Sequence, residues 1–268
     1  SDYERNTGGE GLAIPHNPKM SGGHMFKRKD PQGRPFNKEY ALTRSHYEPL
    51  VEVTQTKGDS ETHPLFSPDD EFADFDRWTW FGGPGSDEND RQYDYVRPAL
   101  KLGLQEQARL GANPFKFGLI GSTDSHTTLS NVEESNFGGK LLDLEPNKDR
   151  LIKAENWFKD SFGLKNTFSA AGFAAVWAQE NTRQSLFAAM RRKEVYASTG
   201  PRITVRFFGG WDYELEDAFR PNLAKIGYDK GVPMGGDLTQ APKGKSPTFL
   251  IRAVKDPDGA NLDRGQVI

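Results

Sequence analysis

The sequence predicts an α/β fold followed by a smaller, antiparallel β-rich element. Apolar strand patterns alternate with amphipathic helix patterns through about residue 195, and short β-rich runs broken by glycine and proline follow them. The 268-residue chain is long enough to bury the core of such a domain and its appendage. We therefore assign residues 1–198 to the α/β part and residues 199–268 to the β-rich element.

Four apolar segments predict the strands of the α/β part. They are Leu12–Ile14, Leu50–Thr54, Phe117–Gly121 and Gly172–Ala178. Pro15 stops the first strand, and a loop is predicted from there to Tyr40. A second long loop, polar and aromatic, is predicted over 55–90, and loops of that size inside compact domains are usually functional.

Three helices are predicted between these strands. Apolar residues recur every four positions in 92–110 and Gly111 supplies a stop, which predicts the first helix. The second is predicted over Lys148–Phe162, and the third over Thr182–Lys193 with Thr182 as its N-cap.

Composition excludes several classes of protein. The 35 basic and 38 acidic residues are mixed along the chain, so nucleic acid is not expected as a partner. No run of about 18 apolar residues occurs, so no membrane span is predicted. The chain has no cysteine, which leaves histidine, aspartate and glutamate as the metal ligands.

The segment GLIGSTDSHT is the strongest candidate for chemistry. An apolar strand ends there, and Asp124 and His126 follow two residues apart, so that in an extended segment both side chains point to the same side. One carboxylate and one imidazole can therefore share one metal ion. The alternative is that Asp124 caps a helix and His126 is an incidental loop residue.

Two further segments bring ligand-type residues to strand ends. His16 follows Pro15 in AIPHN, although a turn histidine would look the same. In LVEVTQTKGDSETHP, Glu52 lies inside an apolar strand and His63 follows it. A buried glutamate needs a cation or a hydrogen-bond donor, whereas a surface-facing position would also explain it. Active sites of α/β proteins lie at the carboxyl ends of strands, so together these residues predict a metal site.

These segments resemble the PHP (polymerase and histidinol phosphatase) superfamily of metal-dependent phosphoesterases. More closely, the chain is similar to a bacterial family catalogued as a domain of unknown function. The matching blocks are GLAIPHNPKMSGG, LVEVTQTKGDSETHP, FGLIGSTDSHT, LFAAMRRKEVYASTGPRI, GVPMGGDL and DPDGANLDR. The resemblance implies a (β/α)7 barrel with two or more divalent ions, zinc, manganese or iron, at the strand carboxyl ends.

The resemblance also implies roles for particular residues. His16 matches the histidine of a proline-adjacent motif, and Asp124 and His126 match the final Asp-x-His pair. Glu52 and His63 lie in a block particular to the closer family, as further ligands or proton carriers. The His-x-His motif that opens a PHP domain has no counterpart here, so the chain is expected to be the C-terminal part of such a barrel, with the remaining ligands upstream.

The resemblance implies hydrolysis of a small anionic ester, a phosphoester or a sulfate ester, by metal-activated water. Arg202, in TGPRI, is a candidate for holding the substrate oxyanion, although a surface arginine at the start of a strand would look the same. Relatives of the closer family are often exported, which favours a periplasmic or exported location. The G-x-S-x-G elbow of serine hydrolases is absent from the sequence.

A function of a different class is a noncatalytic binding module. The aromatic residues of the second long loop, Phe66, Phe75, Trp78 and Trp80, would then hold a sugar or a peptide. Packing of that loop over the barrel mouth is the alternative use of these side chains. His24 and His46 lie in polar segments and are not expected to be ligands.

Overall fold

A computed structural model describes residues 2–75, 77, 87–126, 140, 148–149 and 172–268. The α-helices in these ranges are α1 (Asp2–Thr7), α2 (Lys38–Tyr47), α3 (Val96–Leu110), α4 (Arg183–Arg191) and α5 (Leu223–Lys230). The β-strands are β1 (Leu50–Gln55), β2 (Gly58–Asp59), β3 (Gly118–Gly121), β4 (Phe173–Val176), β5 (Val195–Ser198), β6 (Thr204–Gly210), β7 (Gly231–Pro233) and β8 (Thr248–Val254). Short 3₁₀ helices span Pro18–Met20, Glu88–Asp94 and Leu215–Phe219.

The first sheet has the strand order β2-β1-β3, in which β1 and β3 are parallel and β2 is antiparallel to β1. Every residue of β1 is buried, as is usual for a central strand. Glu52 is opposite Ile120, but Thr54 is opposite Gly121, so β1 has one extra residue at this point. Such irregularities in a strand often lie next to functional sites because they re-aim side chains.

The main hydrophobic core lies beneath β1 and α3. Val51 and Val53 pack with three phenylalanines from the surrounding loops, Phe26, Phe36 and Phe115. Helix α3 contributes Val96 and Ala99. Since the valine and phenylalanine side chains are almost completely buried, we expect each of them to stabilise the fold by about 1.5–3 kcal/mol relative to an exposed position.

The boundaries of α3, Val96–Leu110, differ at one end from the helix predicted over 92–110. The predicted stop is confirmed, because Gly111 takes a positive φ of 71° and its N–H bonds to the carbonyl of Gln107. The predicted start is too early. Tyr95 has an extended backbone, with φ −119° and ψ 144°, which separates α3 from the preceding 3₁₀ helix.

The prediction of a strand at Leu12–Ile14 is wrong. This segment is irregular and makes isolated bonds, from the N–H of Ala13 to the carbonyl of Tyr47 and from the N–H of Glu52 to the carbonyl of Pro15. Pro15 has no N–H with which to continue a strand ladder. The loop predicted as far as Tyr40 is also interrupted, because α2 begins at Lys38.

Strands β4 and β5 form an antiparallel pair that packs beside β3. Helix α4 connects them, and Thr182 caps it by accepting a hydrogen bond from the N–H of Ser185, as predicted. The helix predicted over 148–162 lies outside the described residues except for 148–149. No closed barrel is formed within the described ranges, and the barrel stays a prediction.

The residues after 199 form an antiparallel sheet with the order β7-β6-β8. Its core joins Phe208 of β6 and Leu250 of β8 to Leu223 of α5, with Tyr213 at the edge. None of the helices in the described part of the chain is both long and apolar enough to cross a membrane.

Candidate functional site

Two loops at the carboxyl end of the first sheet contain residues in the left-handed backbone region. Asn17, next to His16, has a φ of 49°, and Asp124, three residues after β3, has a φ of 53°. Non-glycine residues rarely adopt this conformation, although asparagine and aspartate tolerate it best. Such residues cluster at functional sites, where surrounding contacts hold them.

Glu52 connects these two loops. Its carboxylate accepts a hydrogen bond from the N–H of Asn17 at 2.9 Å and another from the hydroxyl of Ser122. The side chain is buried, so the predicted need for a cation or a donor is met by hydrogen bonds. Glu52 thus fixes the backbone on either side of the candidate site.

Asp124 lies between two lysines that the sequence analysis did not identify. The ammonium groups of Lys57 and Lys140 both form ion pairs with Oδ2 of Asp124, and the three side chains are 10% exposed or less. Oδ1 of Asp124 lies 3.1 Å from Nε2 of the more exposed His126. Lys140 also donates to the backbone carbonyl of Asp124 at 3.0 Å, which fixes the turn.

The charges of this cluster shift its pKa values. Burial acts to raise the pKa of Asp124, but hydrogen bonds from Lys140 and Lys57 outweigh it and lower that pKa to about 2. Burial lowers the pKa of Lys140 to about 8, although Asp124 partly opposes this effect. Asp124 is therefore a carboxylate at neutral pH, and positive charge surrounds it.

A third buried lysine, Lys19, lies on the loop that follows His16. Its ammonium group donates to the carbonyl of Gly58, the first residue of β2, at 2.5 Å. Burial lowers its pKa to about 8, while the charges of Asp59 and Glu52 oppose the shift. Lysines are rarely buried unless they are paired. Three buried lysines close to the carboxylates of Asp59 and Asp124 are therefore a distinctive feature of this site.

His16 is exposed and lies between two residues that bond to Glu52. The carbonyl of Pro15 accepts from the backbone N–H of Glu52 at 3.0 Å, and Asn17 donates to its carboxylate. The side-chain oxygen Oδ1 of Asn17 is buried and receives no hydrogen bond within the described ranges. A buried acceptor of this kind fits a cation or the hydroxyl group of a ligand.

His63 contacts a different set of residues. Its Nδ1 accepts from the N–H of Leu65 at 3.1 Å, and its Nε2 faces the guanidinium groups of Arg77 and Arg91. Burial, followed by the charges of these arginines, lowers its pKa to about 4. Among the described residues, the His63 side chain thus contacts Leu65, Arg77 and Arg91 through its nitrogens and the rings of Phe66 and Tyr95 through its own ring, and no contact joins it to Glu52 or Asp124.

Arg202 bonds within the C-terminal element. Its backbone N–H donates to Asp256 at 2.6 Å, and its guanidinium lies 3.5 Å from Asp258. These contacts connect the turn before β6 to the loop after β8. They give no support to a role in holding a substrate at Asp124.

The aromatic loop is described only in part. Phe66 packs against the rings of Tyr95 and His63, whereas Phe75 is exposed. Trp78 and Trp80 lie outside the described residues. Phe66 thus contacts neighbouring rings, and both the binding surface and the packing of this loop over a barrel mouth stay predictions.

The donor set for a metal ion is incomplete in the described ranges, which contain no group of three or more histidine, aspartate or glutamate side chains able to hold one. Asp124 and His126 form a pair of donors that fits one edge of a metal site. Oδ1 of Asn17, which is buried without a hydrogen bond from a described residue, is a candidate for a further metal ligand.

The cluster defines a charged site at the carboxyl end of a parallel strand pair in an α/β sheet. The chain belongs to the family described as protein of unknown function (DUF3604), whose model matches residues 1–268. This match confirms the resemblance to a family of unknown function. Comparisons with curated proteins and with solved structures give no match.

Proposed function

We propose that the protein is a metal-dependent hydrolase of small anionic esters, allied to the PHP superfamily, with phosphoesters as its first class of substrate. The proposal rests on one observation. Asp124 touches His126 and is held by two buried lysines at the carboxyl end of β3. This combination offers two candidate metal donors beside two buried ammonium groups.

Asp124 and His126 would hold a zinc, manganese or iron ion, and His16 and Asn17 lie on the loop that could add donors. The ion would supply a bound water of lowered pKa. Further ligands, for a second ion as well, would come from outside the described residues. Glu52 acts in this proposal by positioning the two loops, because hydrogen bonds already engage both of its oxygens.

Lys57 and Lys140 would favour an anionic substrate. Their charges keep Asp124 ionised, and the two positive charges exceed the single negative charge of that carboxylate. The excess positive charge attracts an ester that carries an oxyanion and gives no such benefit to a neutral ester. Sulfate esters share the tetrahedral oxyanion shape and are the second class of substrate.

The test combines metal content with turnover. Purified protein is analysed for bound metals and assayed with p-nitrophenyl phosphate, p-nitrophenyl sulfate and neutral p-nitrophenyl acetate. The assays are repeated after chelation and after addition of Mn²⁺ or Zn²⁺. We expect hydrolysis of a charged ester that chelation abolishes and the metal restores. Full activity without metal, or turnover of the acetate alone, would refute the proposal.

Matched variants assign the activity to the site. Asp124→Asn and His126→Ala should each lower kcat/KM by about 100-fold or more, because a lost metal ligand or its lost charge removes much of the transition-state stabilisation. The exposed Asp69 and His46 provide controls, and Asp69→Asn and His46→Ala should leave turnover unchanged. Equal losses in the control variants would assign the activity elsewhere.

A further inference from the structure

The ammonium group of Lys140 lies among three acceptor atoms of the segment 124–126. It donates to Oδ2 of Asp124 and, at 3.0 Å, to the backbone carbonyl of the same residue. Nε2 of His126 lies 3.2 Å from the same nitrogen. An ammonium group has three N–H donors, so these three acceptors can engage all of them. Lys140 thus fills a position that a carboxylate, a carbonyl and an imidazole surround.

The contact between Lys140 and His126 bears on metal binding. A metal ion binds an imidazole through the lone pair of an unprotonated nitrogen. An ammonium group has no acceptor, so Lys140 can bond to Nε2 only by donating to that same lone pair. In the form of His126 that could hold a metal ion through Nε2, the lone pair is therefore within hydrogen-bond distance of the Lys140 ammonium group. The ion and the ammonium group require one and the same electron pair.

Burial adds an electrostatic reason for competition. The side chains of Lys140 and Lys57, which both pair with Oδ2 of Asp124, are only 5% and 9% exposed. Charges repel more strongly when little water surrounds them. A divalent ion that bound while both ammonium groups stayed would bring two further positive charges next to the two already enclosed there. Departure of one ammonium group relieves this repulsion.

Lys140 is better placed than Lys57 to exchange with an ion. Lys57 contacts Oδ2 of Asp124, and within the described ranges no contact joins its side chain to His126. The backbone of Lys140 also holds the segment, because its carbonyl accepts the N–H of His126 at 2.7 Å. The side chain of Lys140 can therefore leave while this backbone contact keeps His126 in place.

We propose that Lys140 competes with the metal ion for Asp124 and His126, and that binding of a divalent cation displaces its ammonium group toward solvent. This competition rests on the proposed function, in which Asp124 and His126 are metal ligands. Loss of the Lys140 ammonium group should therefore strengthen metal binding. Replacement of a residue that only supported the site would have the opposite effect.

Calorimetric titration of the whole protein with Mn²⁺ and with Zn²⁺ at pH 7, after chelation and removal of the chelator, measures the affinity. Lys140→Met keeps the backbone carbonyl and an apolar stem but removes the ammonium group, and it should bind metal about tenfold more tightly or better. Lys116→Met is the matched control, because Lys116 also pairs with an aspartate but in an exposed position. Equal affinity of these two variants would overturn the competition.

Lys57→Met separates occupancy of the position from the effect of charge alone. This variant removes the same charge from Oδ2 of Asp124 but leaves Lys140 among its three acceptors. Its gain in metal affinity should be smaller than that of Lys140→Met, and an equal gain would overturn the competition. If neither the original protein nor any variant binds Mn²⁺ or Zn²⁺, the proposed metal site fails as well. Metal binding of equal affinity throughout refutes the competition alone.

A chemical measurement on the original protein detects the displacement itself. The Lys140 side chain is 5% exposed, so acetic anhydride should acetylate it slowly without metal. Saturating Mn²⁺ or Zn²⁺ should raise acetylation of Lys140 relative to that of the exposed Lys116, as measured by mass spectrometry of proteolytic peptides. Acetylation of Lys140 that stays unchanged or falls when metal binds would refute the displacement. Ester hydrolysis does not enter this measurement.

Discussion

The carboxylate of Glu52 accepts a hydrogen bond from the hydroxyl of Ser122, which lies 70 positions further along the chain. The same carboxylate accepts the N–H of Asn17. One buried side chain in β1 therefore fixes both loops that reach the candidate site. Its loss should affect the loops before it affects the sheet, because β1 itself is held by apolar packing.

Replacing Glu52 should destabilise the protein. Glu52→Ala leaves the N–H of Asn17 without its acceptor in a partly buried position, and such a loss typically costs about 1–3 kcal/mol. Urea denaturation at pH 7 measures the free energy of unfolding. Glu52→Gln should cost less, because the amide oxygen can still accept one of the two hydrogen bonds.

A double-mutant cycle isolates the bond to Ser122. Ser122→Ala is combined with Glu52→Ala, and the two changes should be non-additive by about 0.5–2 kcal/mol because the side chains share one bond. Strict additivity would mean that the two residues stabilise the protein independently, contrary to the geometry.

Parts of the fold follow from local sequence patterns. The apolar runs predicted β1 and β3 to within a residue or two at each end, and Thr182 marked the start of α4. Helix α2 was missed because its ten residues bury only Ala41 and so show little apolar periodicity. The Leu12–Ile14 segment has strand composition, but isolated hydrogen bonds replace a ladder there.

Only part of the candidate site can be predicted from the sequence. Glu52, Asp124 and His126 were recognisable because carboxylate and imidazole groups at strand ends are unusual. Lys57 and Lys140 were not, since a lysine is ordinarily exposed and its burial depends on long-range partners. The position of His63 between two arginines likewise depends on how the loop returns, which local patterns do not encode.

The ion pairs of Asp124 should make the free energy of unfolding depend on pH in the acidic range. Its pKa is lowered to about 2 from an ordinary value of 3.8, so its contribution is present above pH 3.8 and is lost as the pH falls toward 2. Asp124→Asn should lower the free energy of unfolding at pH 7 by about 1–3 kcal/mol, because two buried ammonium groups lose the charge of the carboxylate that accepts their hydrogen bonds. Urea midpoints at pH 7 and pH 3 measure this change.

The exposed Asp69 is the control for this comparison. Asp69→Asn should show the same difference in urea midpoint between pH 7 and pH 3 as the original protein. In Asp124→Asn this difference should be smaller. If the difference in urea midpoint between pH 7 and pH 3 is the same in Asp124→Asn as in the original protein, the two lysines do not hold this carboxylate in its ionised form.

Asp94 should give a pH dependence of the opposite sign. Its Oδ1 accepts from Ser21 and from the N–H of Gly23, but its Oδ2 is buried without a hydrogen bond from any described residue. Burial raises its pKa from 3.8 to about 6. The raised value favours the protonated form, so its contribution is greatest below pH 3.8 and is lost as the pH rises through 6.

Asp94→Asn removes this titration while keeping an oxygen for Ser21 and Gly23. The difference in unfolding free energy between the variant and the original protein should grow in favour of the variant from pH 4 to pH 7, by up to about 3 kcal/mol. Denaturation at half-unit pH steps measures it. A difference that stays constant over this range would exclude Asp94 as the titrating group.

Gly121, the last residue of β3, should not tolerate a side chain. A Cβ atom at this position would lie 2.8 Å from the backbone N and O of Phe173 and 2.9 Å from the carbonyl oxygen of Ser198. These are backbone atoms of β4 and β5, which cannot move without disturbing their pairing.

Gly121→Ala should therefore lower the free energy of unfolding by about 1–3 kcal/mol, measured as a lower urea midpoint. Gly11→Ala, where nothing lies within 4 Å of the added atom, should change stability by less than about 0.5 kcal/mol. Equal midpoints for the two variants would mean that β3 does not pack this closely against the antiparallel pair.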